Sequence, residues 1–136
     1  TWQYCQGVRK PIIKVIHVSD TRTADEVLTD IEMGQRLLLE RELVCLLDTE
    51  TGDAYGGTGR TFDWQLAGEV STRFPVMVAG GLTPENVGQL VREVQPWGVD
   101  VSSGVETNER KDSAKIRDFV RMVRSGGVEA NEQLKP

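Results

Sequence analysis

Apolar positions fall in four short runs, Ile12–Val18, Leu43–Leu47, Phe74–Ala79 and Trp97–Val101, separated by polar segments with helical spacing. Runs of this length and type predict strands. The first alternates poorly, as expected of a strand buried on both faces of a parallel sheet. Between the runs, Ala24–Glu42 offers Val27, Ile31, Leu37 and Leu38 for packing, and Gly34 is read as a helix end with a second turn beyond it. Asp63 is the expected cap of a helix reaching Thr72, with Trp64, Leu66, Ala67 and Val70 on its inner face. Thr83 is the expected cap of a third helix, with Pro84 at its first position and Val87, Leu90, Val91 and Val94 at i, i+3, i+4 and i+7. Asp112 and Ser113 open a fourth, carrying Ile116, Phe119, Val120 and Val123. Thr1–Val8 reads as the end of a helix, and 125–136 as a polar tail behind a body spanning 1–124.

Strand and helix therefore alternate, which predicts an α/β fold with a parallel sheet. The third strand ends in Gly80-Gly81 directly before a helix, where backbone N–H groups can approach an anion with no side chain between. From that pair alone a plain turn is the expected reading. The next unit repeats the arrangement, ending its strand in Ser102-Ser103-Gly104. In a (β/α)8 TIM barrel the loops after the last two strands often build a phosphate site, so the pair points to the second half of such a barrel. Four βα units are half of the eight.

Asp48 lies at the C-terminal end of the second strand, where barrel enzymes place catalytic groups, although an aspartate there also serves as a loop cap. The segment Thr49–Thr61 holds Gly56-Gly57-Thr58-Gly59 and reads as a mobile cover or a turn-rich connection. No Lys-Ser or Lys-Thr pair follows those glycines, which excludes a nucleotide P-loop. His17, the only histidine, sits near the end of the first strand, where a hydrogen-bonded rim residue is the expected role and a catalytic base the alternative.

Composition narrows the class further. With 38% apolar and 27% charged residues the chain is that of a soluble globular protein, and no apolar run is long enough to span a bilayer. A cytoplasmic protein is expected. The net charge of −5 and the lack of a basic patch argue against nucleic-acid partners, while a phosphate monoester can still be held by local backbone dipoles. Cys5 and Cys45 belong to no metal-like cluster and read as reduced core cysteines.

Taken together, VAGGLTPENV (78–87), GVDVSSGVE (98–106) and the following Lys111-Asp112, with Leu46-Leu47-Asp48-Thr49, Gly56-Gly57-Thr58-Gly59 and Phe62-Asp63-Trp64 upstream, resemble phosphoribosylanthranilate isomerase. The resemblance runs from Lys10 to Arg124. It implies an Amadori rearrangement in tryptophan biosynthesis, with a phosphosugar-anthranilate as substrate and no metal or organic cofactor. Asp48 would be the general acid, kept partly protonated by burial. Gly80, Gly81, Ser103 and Gly104 would grip the phosphate, and Asp100 would position substrate. The family's base is a cysteine in a Lys-Ile-Cys-Gly strand; that string is absent here, as is the arginine that pairs with the anthranilate carboxylate. Glu109 stands where the family usually has glycine. A half barrel exposes strand edges and one face of its core, so a homodimer, a missing N-terminal half or fusion to other pathway domains is expected. The competing readings are a non-catalytic phosphate-binding module and a relative of indole-glycerol-phosphate synthase.

Overall fold

In a computed structural model, residues 1–19, 21–39, 41–49 and 64–132 are described, with side-chain burial given outside 49 and 127–132. The expected Asp63 cap and the Gly56-Gly57-Thr58-Gly59 cover lie outside those residues. Strands β1 (Ile12–Val18), β2 (Leu43–Thr49), β3 (Val76–Ala79) and β4 (Gly98–Val99) form one parallel sheet in the order β1-β2-β3-β4. Each strand pairs with its successor in sequence. Helices α1 (Ala24–Leu37), α2 (Trp64–Ser71) and α3 (Val87–Val94) connect them, and α4 (Ser113–Glu132) closes the row. A small antiparallel hairpin, β5 (Glu106–Thr107) and β6 (Arg110–Lys111), precedes α4.

Strand register divides the sheet into two unlike faces. Ile16, Cys45, Leu47, Val76 and Val78 point to the helices and are buried together with Val27, Ile31, Val70, Val87 and Leu90. Each aliphatic side chain so buried contributes about 1.5–3 kcal/mol. The residues between them in sequence face the other way: Ile13 is 62% exposed and Val15 is also open to solvent. The expectation that β1 is buried on both faces is thus corrected. Its burial alternates, because helices cover only one side of the sheet. Burial pushes the Cys45 thiol up to about 12, as a core cysteine requires.

Local chemistry sets the helix ends, sometimes away from the expected positions. Thr23 and Glu26 form a reciprocal capping box at the start of α1, and the bonds from Thr23 hold the Glu26 carboxyl below its ordinary range. Gly34 does not end α1. A Cβ there would come within 2.5 Å of the Trp2 ring, so glycine makes room for the indole. Trp2 lies in a 3-10 helix (Trp2–Gly7) and donates Nε1–H to Asp30 Oδ1 at 2.6 Å, while Arg22 reaches Asp30 Oδ2 at 2.6 Å. Burial of Asp30 works to raise its pKa, but those donors outweigh it and hold the carboxyl low. Gly34→Ala is expected to destabilise the chain by about 1–3 kcal/mol through overpacking, although alanine is the better helix former. A lowered urea midpoint with unchanged slope checks this.

The α3 start also differs from the expectation. The helix begins at Val87, and Asn86 serves the preceding turn by accepting from Thr83 N–H at 2.8 Å. Thr83 still contributes its carbonyl, which accepts from Val87 N–H at 3.0 Å. At the other terminus α4 runs on to Glu132, into the stretch that reads as a polar tail. Gly126 is buried where α4 crosses α3, and a Cβ on it would lie 2.9 Å from the Gly88 carbonyl oxygen. Gly126 is thus a contact between helices. Among the described residues no helix is long and apolar enough to cross a membrane.

Candidate functional site

Parallel strands bring their C-terminal ends to one rim of the sheet. There His17, Asp48 and Ala79 stand side by side in register across β1, β2 and β3. By strand alternation Asp48 points to the open face, since Cys45 and Leu47 face the helices. Its carboxylate is half-buried, 37% exposed, and its Oδ2 lies 3.9 Å from His17 Nδ1. That separation permits ionic attraction but is too long for a hydrogen bond.

Beside Asp48 is a pocket of about 500 Å³ that collects every site residue expected from the sequence: Asp48, Gly80, Gly81, Asp100, Ser103 and Gly104. Gly80 and Gly81 hold φ values of 98° and 61°, the left-handed region that glycine enters without a Cβ clash. Among the described residues no acceptor takes the Gly80 or Gly81 backbone N–H. Gly104 meets a different demand. Its loop lies so close to the first that an added Cβ would sit 1.7 Å from the Leu82 carbonyl oxygen. Ser103–Val105 form one short 3-10 turn. Asp100 is exposed, and its N–H extends the β3–β4 ladder by donating to the Val78 carbonyl at 2.9 Å.

Ser102 and Leu82 also line the pocket, although neither stood out in the sequence. The serine was legible only as part of the small-residue run. The following hairpin turns through Asn108 (φ 50°) and Glu109 (φ 57°), the paired left-handed residues of a type I′ turn. Glu109 is exposed in a conformation that suits glycine. Glu109→Gly is expected to raise stability by about 1 kcal/mol, read as a higher denaturation midpoint. Asp112 then caps α4, accepting from the Thr107 hydroxyl at 2.8 Å, Ala114 N–H at 2.9 Å and Lys115 N–H at 3.3 Å, which together hold its carboxyl below the ordinary range.

A sheet wound in sequence order, helices on one face and a glycine-lined pocket at the strand ends define a partial (β/α) barrel of the TIM type. The model of the N-(5'-phosphoribosyl)anthranilate (PRA) isomerase family matches residues 2–122, and the chain belongs to that family. The N-(5'-phosphoribosyl)anthranilate isomerase of Dehalococcoides mccartyi is 48% identical over 124 residues, covering 91% of this chain and 56% of that protein. Phosphoribosyl anthranilate isomerase from Thermotoga maritima superposes with a TM-score of 0.69 at 36% identity, over 90% of this chain and 57% of that one. A phosphoribosyl anthranilate isomerase in complex with reduced 1-(o-carboxyphenylamino)-1-deoxyribulose 5-phosphate gives 0.66 at 31% identity, over 90% and 54%. The chain spans about half the length of the curated relatives it matches.

Proposed function

We propose that the chain carries the general acid and the phosphate-binding loops of an isomerase that converts N-(5-phosphoribosyl)anthranilate into 1-(2-carboxyphenylamino)-1-deoxyribulose 5-phosphate in tryptophan biosynthesis. The observation that carries this reading is the convergence of Asp48 with Gly80, Gly81, Ser103 and Gly104 on one pocket, in a member of this family. In the first step the ribose ring oxygen leaves C1′ with its electron pair and takes the Asp48 proton, while the anthranilate nitrogen lone pair forms the C=N bond. A base then removes the C2′ proton, and the resulting enolamine tautomerises to the ketone. Atoms and electrons balance without a redox partner. Gly80, Gly81, Ser103 and Gly104 would hold the phosphate through backbone N–H groups, and Asp100 would orient the sugar.

The resemblance assigns the base to a cysteine strand that these 136 residues do not contain. The open face with Ile13 and Val15, and the two sheet edges β1 and β4, support a covering partner, either a second copy or the remaining barrel strands. Turnover of freshly generated substrate, followed by anthranilate fluorescence, tests the reading with the chain alone and joined to the complementary strands of a family member. Turnover in either form is the expected result. Product binding by the folded chain with turnover in neither would favour a phosphate-binding half barrel without catalysis.

A further inference from the structure

The pocket walls carry two carboxylates, Asp48 and Asp100, and among the described residues none that lines it is Lys, Arg or His. Lys111 is the cation tied to the wall. Its ammonium donates to the Ser102 carbonyl oxygen at 2.9 Å and lies 3.3 Å from Ser102 Oγ. Glu106 Oε1, 2.6 Å away across the β5–β6 hairpin, holds it there. Lys115 donates to the Glu106 carbonyl at 2.6 Å and ties the same strand to α4.

The carbonyl of Ser102 and the N–H of Ser103 belong to one planar trans peptide, so the two point in opposite directions. Lys111 at 2.9 Å, together with the longer bond from Val105 N–H at 3.5 Å, holds this carbonyl and so keeps the Ser103 N–H on the other side of the loop. A cationic donor on the carbonyl also polarises the peptide, which strengthens that N–H as a donor to an anion. The first loop has a neutral counterpart: Asn86 Nδ2 donates to the Gly81 carbonyl at 2.9 Å, turning the Leu82 N–H away from it. Each loop thus has one side chain gripping a carbonyl from outside the pocket.

We propose that Lys111 is a positioning residue for a bound phosphate monoester, orienting the Ser102–Ser103 peptide toward the anion. The inference rests on the phosphate-site reading above. Inorganic phosphate is titrated at constant ionic strength into the isotopically labelled chain, its Lys111→Met and Lys111→Arg variants, and amide shifts are followed residue by residue. Lys111→Met is expected to weaken phosphate binding about tenfold and to abolish the Ser103 response, leaving that of Gly81. Lys111→Arg, with charge and donors kept, restores most of the affinity and tests the same point should the methionine variant not fold. Equal affinity in all three proteins, with Ser103 responding in each, overturns the role of Lys111 while the phosphate site stands. No saturable response in the unsubstituted chain overturns both.

Discussion

Turnover is expected to fall by about two to four orders of magnitude when Asp48 is replaced by Asn, because in the proposed reaction this carboxyl delivers the proton as the ribose ring opens. The amide keeps the shape of the carboxyl and can still hydrogen-bond the ring oxygen. It cannot release a proton to it. The side chain stands at a strand end, half exposed, with His17 as its ionic neighbour at 3.9 Å, so the substitution leaves no deeply buried group unpaired and stability should change little. A loss of kcat with nearly unchanged KM, measured in whichever assembly turns substrate over, is the result that an acid acting in the transition state requires. Unchanged kcat would remove Asp48 from the chemistry and leave it as a strand-end residue.

Gly104→Ala is expected to cause the largest structural change. The obstacle to a methyl group is the Leu82 backbone carbonyl, 1.7 Å from the added atom, and neighbouring backbone lies within 3.3 Å. No rotamer can relieve that clash. The loop after β4 or the one after β3 has to move, at a cost of about 3 kcal/mol, which lowers the melting temperature by roughly 10 °C in a chain of this size. Phosphate affinity should fall with it, because the two loops approach the pocket only while this contact is made. Gly34→Ala meets a Trp side chain instead, which can shift within its cavity, so its cost is smaller. A Gly104→Ala protein with unchanged melting temperature and phosphate binding would show that the two loops are not tightly joined.

The sequence revealed most clearly what depends on neighbours along the chain. Apolar runs located all four strands of the parallel sheet, and because parallel strands end at a common rim, the residues after them could be grouped into a site before any contact was known. Asp48, Gly80, Gly81, Asp100, Ser103 and Gly104 do share one pocket. Asp112 as a helix cap was legible for the same reason, since a cap serves residues two and three positions on.

Long-range packing was much less visible. Gly34 reads as a helix end and Gly126 falls in the stretch that reads as a polar tail, yet each permits an element distant in sequence to come close, the Trp2 ring in one case and the Gly88 backbone in the other. The exposed face of β1 is not legible in the sequence, because a continuous apolar run does not reveal whether both faces are covered. Lys111 stands out only as part of a motif. Its grip on Ser102 depends on a hairpin that brings residues nine apart into contact, held by left-handed Asn108 and Glu109.

The pairing of each strand with the next in sequence has a kinetic consequence. Each new ladder closes a stretch of chain that holds one helix among the described residues, so the loop-closure entropy of adding a unit is small and its contacts are local. Each strand can therefore be laid down on the one before it in order of synthesis, without waiting for a distant segment to pair first. Growth of this kind has no built-in final strand: each addition leaves a fresh edge for the next, and only pairing of the two outer edges, through other strands, would end it.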